Sequence, residues 1–150
     1  MPTTTPAPTS ATTPVEASIA RSRPIATTAL LVALATAANC ALYGVGVLAG
    51  GEFVLHQSDE NPRHVVPPYD VVWKSALPVV LGVAVTALIA RWTRRGALIT
   101  TIAFTAVGVA SALGPLLKSY DALPGVLLAA MHVTSSAAYL VSSIAVTRRR

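Results

Sequence analysis

Charge is the first thing this chain of 150 residues is short of: Asp, Glu, Lys and Arg together make up 11% of it, against about 25% in a soluble domain. With 53% hydrophobic residues, so small a chain cannot enclose its apolar surface in one core. The excess has to meet lipid. Cysteine is nearly absent. Cys40 stands alone, so no intrachain disulfide can form and a quinone-linked thiol oxidoreductase built on Cys-x-x-Cys is excluded. Asn39 occupies the place where a lipoprotein signal needs a small residue. The apolar run around it exceeds the roughly 7–15 residues of a cleaved signal core, so it reads as a retained helix.

Acidic residues are missing from every long apolar run. That argues against a small proton-coupled exporter, which needs a membrane carboxylate. His132 is the one histidine in an apolar run, so a single chain cannot supply paired axial ligands to haem. There is no phosphate-binding glycine loop and no nucleophile elbow. His56, His64, Asp59, Glu60 and Asp70 share one loop, but their spacing matches no tight zinc pattern. The expectation is therefore a protein that is not an enzyme, with no cofactor and no metal. Nucleic acid is not an expected partner either. The basic residues sit in clusters beside apolar runs, not along a soluble face interleaved with aromatics.

What is present is length. Residues 1–23 are rich in Thr, Pro, Ala and Ser and read as a disordered tail. Residues 24–150 read as one transmembrane domain with helices at about 24–49, 71–90, 97–117 and 125–147. Each run reaches the roughly 20 residues that span a bilayer, and lipid leaves no other partner for the backbone than the helix itself. Trp73 and Trp92 stand 19 residues apart, roughly 28 Å along a helix, close to the hydrocarbon thickness. Pro24 and Pro124 sit where helices can begin, and Asp70 suits the N-cap of the second. The expected fold is all-α: an integral membrane four-helix bundle running up-down-up-down.

The arginines orient it. The tail (Arg21, Arg23), the middle turn (Arg91, Arg94, Arg95) and the C-terminus (Arg148, Arg149, Arg150) hold eight between them. The positive-inside rule places all three clusters, and so both ends, in the cytoplasm of a cell-membrane protein. Arg91, Arg94, Arg95, Arg148 and Arg149 are also placed to touch lipid head groups. The one long connection, residues 51–70, holds two β-prone stretches, Phe53-Val54-Leu55 and His64-Val65-Val66. A polar segment with Ser58, Asp59, Asn61 and Pro62 lies between them, so a small outer hairpin is expected.

Polar groups at membrane depth turn toward other helices. On the fourth run His132, Ser135, Ser136, Tyr139 and Ser143 form one stripe. Helix rise puts His132 roughly 10 Å below the outer boundary. Asn39, Ser111 and Pro78 fall at the same level. A hydrogen bond between Asn39 and His132, direct or through water, is expected, which needs the first and fourth helices to be neighbours. The cluster Asn39, Ser111, His132, Ser135, Ser136 and Tyr139 is either a structural clasp or a small pocket. Gly46 and Gly50, with Gly44 nearby, look like a close-packing step, and Thr101, Thr105, Gly108 and Ala112 like a packing face of the third helix. Pro78 and Pro115 are placed to shape an outward-facing dimple.

Several features run together along the chain: the Thr/Pro-rich head, a long first helix, a polar outer loop, the inner turn Trp92 to Gly96, Leu113-Gly114-Pro115, Met131-His132 and the basic tail. In these the sequence resembles the actinobacterial four-helix membrane family catalogued as domain of unknown function 6069. The resemblance covers about residues 24–150. It implies a four-helix membrane fold, marks Met131 and His132 as signature positions and supplies no activity. Two functions stay open. One is a non-catalytic protein acting by association in the envelope membrane, with itself or with another membrane protein. The other is a transporter or binder of a small ligand using the pocket around His132. A tightly filled polar layer would favour the first, and a cavity touching Asn39, Ser111 and His132 the second.

Overall fold

The computed structural model describes residues 14–60 and 62–148. In chain order it contains α1 (Pro14–Leu48), β1 (Val54–Leu55), β2 (His64–Val65), α2 (Pro68–Ile89), α3 (Arg94–Ala110), α4 (Leu113–Lys118) and α5 (Ala122–Thr147). Four helical segments are long and apolar enough to cross a membrane: Arg23–Leu48, Pro68–Ile89, Arg94–Lys118 and Ala122–Thr147. The bundle has two ends, one carrying the hairpin and one carrying Arg91, Arg94, Arg95 and Arg148. α5 packs against every other helix, and most extensively against α1.

α1 corrects two expectations. The tail expected over residues 1–23 is helical from residue 14, and Pro24 lies inside the helix rather than at its start. Pro14 suits a first helical position, and Glu16, Ala17, Ala20 and Arg21 are good helix formers. Residues 1–13 lie outside the described residues, as do Asn61 of the loop and Arg149 and Arg150 of the last cluster. At its other end α1 is stopped by glycine. Gly50 takes φ +78°, and its N–H donates to Val47 O at 3.0 Å while that of Gly51 donates to Gly46 O at 2.9 Å. Those two bonds are the Schellman stop. Gly50 thus ends the helix and forms no packing step. Gly46 does pack: a side chain there would run into the Phe53 ring and Leu127.

α2 begins at Pro68 with Pro67 as N-cap, so Asp70 falls in the first turn and is not the cap. Proline's fixed φ makes Pro68 a better start than Val71. The third crossing breaks at Ser111 and Ala112, between α3 and α4. Pro115 has no N–H to offer the carbonyl four residues back, which is that of Ser111. That carbonyl instead accepts from Gly114 N at 3.1 Å, a tighter turn.

The hairpin forms, antiparallel, with Val54 opposite Val65 and Leu55 opposite His64. It is tied to the α4–α5 connection by His56 N donating to Lys118 O at 2.8 Å and Tyr120 N to Val54 O at 3.2 Å. Phe53 stacks on Tyr43 at 4.3 Å, and the Tyr43 hydroxyl donates to Val66 O at 3.0 Å. Phe53 and Val66 are buried with Val71, Leu128 and Met131, so the hairpin plugs its end of the bundle. A second buried cluster, Ala35, Val79, Val83, Ala138 and Tyr139, lies nearer the arginine end. Outward-facing Ile25, Leu30, Leu34, Leu98, Ile99 and Ile102 leave a broad apolar surface that a soluble monomer would not carry.

Candidate functional site

α2 and α3 meet over the fewest residues of the packed helix pairs, and between them and α5 lies a cavity of about 660 Å³. Two glycines on its wall set how closely α5 approaches. At Gly82 a Cβ would stand 2.9 Å from the Tyr139 ring, and at Gly108 it would stand 2.3 Å from Ser136 Oγ. Each glycine lets α5 approach closely and lines the cavity without a side chain to fill it. All six residues of the expected polar cluster line it: Asn39, Ser111, His132, Ser135, Ser136 and Tyr139. Pro78 lines it too.

The bonds among them differ from the expected ones. Asn39 and His132 are not hydrogen-bonded to each other. Asn39, 0% exposed, reaches from α1 to two other helices. Its Nδ2 stands 2.8 Å from Ser75 Oγ on α2, with Ser135 Oγ at 3.1 Å and Met131 O at 3.3 Å on α5. Its Oδ1 is buried with no partner. His132 turns the other way, and its Nδ1 lies 2.8 Å from Ser111 Oγ. The cause is rotation about α5. Met131 and Ser135 are four residues apart and share a face toward α1, and the next residue round from Met131 points some 100° away, toward α3. The polar stripe therefore straddles two interfaces. Asn39 ties the helices, and the Ser111–His132 pair faces the cavity.

The hydrogens of that pair can be assigned. Ser111 Oγ donates to Gly108 O at 2.6 Å. A hydroxyl has one hydrogen, so the contact with His132 has Nδ1–H as donor and Ser111 Oγ as acceptor. In a neutral imidazole Nε2 is then an acceptor, and among the described residues it has no partner.

Several groups at or behind the cavity wall escaped the reading of the sequence. Ser75 holds Asn39, and Thr86 Oγ1 lies 2.8 Å from the Tyr139 hydroxyl at the cavity floor. They are the only hydroxyl residues in the run 71–90, a signal strong enough to have marked them. Tyr139 also donates to Thr100 O at 3.3 Å, and its ring lies 5.9 Å from that of Phe104. At the hairpin end the cavity is bordered by Asp70, whose carboxylate accepts from Trp73 Nε1 at 3.0 Å and from Lys74. A carboxylate thus does lie within a crossing, because α2 starts three residues earlier than expected, and it is neutralised by its neighbour. Arg91, Arg94, Arg95 and Arg148 are exposed at the far end, away from the cavity. Among the described residues no group of three His, Cys, Asp or Glu could hold a metal ion.

The apolar belt, the four crossing helices and the plugged end define a small multi-pass membrane protein. The chain belongs to the Family of unknown function (DUF6069), which matches it over residues 19–150. No curated protein and no solved structure matches it.

Proposed function

We propose that this protein binds one small, weakly polar molecule in the cavity between α2, α3 and α5, without transforming it. The observation that carries the reading is the cavity itself. Its volume of about 660 Å³ lies within the roughly 300–1,000 Å³ of ligand sites, and its mostly apolar wall converges on Ser111 and His132. A protein acting only through association would have no need of an open space walled by its polar cluster.

A binding role fits the chemistry better than a catalytic one. Ser111 and His132 make a hydroxyl–imidazole contact, but the Ser111 proton is held by Gly108 O and no carboxylate among the described residues orients the imidazole. An activated nucleophile needs a base able to take its proton and a third group to orient that base. We further propose that the arginine end faces the cytoplasm, with Arg91, Arg94, Arg95 and Arg148 against lipid head groups. The cavity then reaches from the outer, hairpin end of the bundle past the middle of the cell membrane, as far as Val85 and Tyr139.

Native mass spectrometry of the full chain, released from lipid nanodiscs, tests this. The expected spectrum shows one small-molecule adduct per chain, depleted in a Ser111→Ala/His132→Leu variant. A spectrum showing only bare chains, copies or partner chains, identical in that variant, would overturn the binding role in favour of association.

A further inference from the structure

We infer that the cavity takes a single-tailed amphiphile with an uncharged hydroxyl head, admitted sideways from the lipid between α2 and α3, near the middle of the membrane. This deepens the binding reading above and rests on it. Three observations converge on the route, the tail and the head.

The route follows from what is closed. Toward the hairpin the cavity is roofed by Val66, Val71, Leu128 and Met131, all buried. The paired Asp70 and Lys74 stand beside them. On the flank between α2 and α3 the lining is open: Leu81 is 55% and Val107 67% exposed, and Phe104 and Val85 are exposed as well. These side chains lie at membrane depth, so the opening faces acyl chains and not water. A water-soluble ligand would find its side of the cavity plugged, while a lipid-borne one finds an apolar gap.

The tail follows from size and wall. At about 30 Å³ per small group, the volume a water occupies, 660 Å³ holds roughly 20 non-hydrogen atoms. That suits one chain and not a two-chain phospholipid. The head follows from the hydrogen accounting. Among the described residues the only ionic side chains at the cavity, Asp70 and Lys74, neutralise each other, so no net charge is offered to an ion. His132 Nε2 presents an unused acceptor beside Ser111 on the open flank. A hydroxyl can donate to it, whereas an ether or a hydrocarbon end cannot.

The test places the full chain in phosphatidylcholine vesicles with a long-chain alcohol that carries a diazirine on its tail. Labelled residues are mapped after irradiation. Labelling is expected to concentrate in residues 81–85 and 104–111 over the lipid-facing Leu30 and Leu34. The methyl ether of the same chain should label those segments roughly tenfold less, the effect of about 1.4 kcal/mol in binding. Val107→Trp and Leu81→Trp, each at an exposed position and so compatible with folding, should reduce labelling by the alcohol to a similar degree. Cavity labelling that survives both tryptophan variants would overturn sideways admission and leave a site reached from the hairpin end. Equal labelling by alcohol and ether would overturn the hydroxyl head. Labelling no denser in the cavity than at Leu30 and Leu34 would overturn the binding reading itself.

Discussion

Replacing Asn39 with leucine isolates the one side chain that joins three helices. Nδ2 carries two hydrogens, so at most two of its three contacts, with Ser75, Ser135 and Met131 O, are made at once. Hydrogen bonds between membrane helices contribute about 0.6 kcal/mol on average and up to roughly 1.7, which sets the gross loss at about 1–3 kcal/mol. Two effects reduce it. The freed Ser75 and Ser135 hydroxyls can turn back onto carbonyls four residues earlier in their own helices. Removing the unpartnered Oδ1 also relieves a desolvation cost. Leucine keeps the four side-chain heavy atoms of asparagine in a larger volume, so no void opens. The net expectation is a loss of about 1 kcal/mol, roughly fivefold in the ratio of folded to unfolded protein. The assay is unfolding in mixed micelles titrated with sodium dodecyl sulfate and followed by helical circular dichroism. An Asn39→Leu protein as stable as the parent, or more so, would refute the three-helix tie.

Three further outcomes are expected. Tyr139→Phe removes the bonds to Thr86 and to Thr100 O; it should cost about 1 kcal/mol in the same titration, and no loss would show that the floor of the cavity is held by packing alone. Gly108→Ala places a methyl group against Ser136 Oγ and should cost about 1–3 kcal/mol. Adding Ser136→Gly should restore most of that loss, and failure of the double variant to recover would contradict the close approach of α3 and α5. Phe53→Ala removes the stack on Tyr43 and a buried ring of the hairpin-end cluster. Limited proteolysis should then cut residues 52–66 several-fold faster while the helices persist, and an unchanged cleavage rate would mean that the hairpin is anchored elsewhere.

The bundle could be read from the sequence because bilayer-length apolar runs admit one backbone solution, and arginines marked their ends. The hairpin was legible from Phe53-Val54-Leu55 and His64-Val65-Val66 on either side of a polar turn. Helix boundaries were less so. Pro24 looks like a start, and only the helix formers preceding it let α1 continue back to Pro14. The break at Ser111 depends on a carbonyl left without its donor by Pro115, a consequence visible only once the helix is traced bond by bond. For the site, helix rise placed Asn39, Ser111 and His132 at one depth, and the structure brings all three to one cavity. Depth does not set rotation, however. α5 packs against all the other helices, so a polar stripe on it can serve two interfaces. Which of Met131, His132 and Ser135 meets Asn39 depends on how the helices pack.

Four crossings with the hairpin end outside the cell underlie every role proposed for the cavity, and cysteine labelling in intact cells tests that most directly. In a Cys40→Ala background, Glu60→Cys at the hairpin should react with a membrane-impermeant maleimide. Arg148→Cys at the opposite end should react only after the membrane is opened. Labelling of Arg148→Cys in sealed cells, or protection of Glu60→Cys, would contradict the orientation and with it the hairpin as the outer end of the cavity.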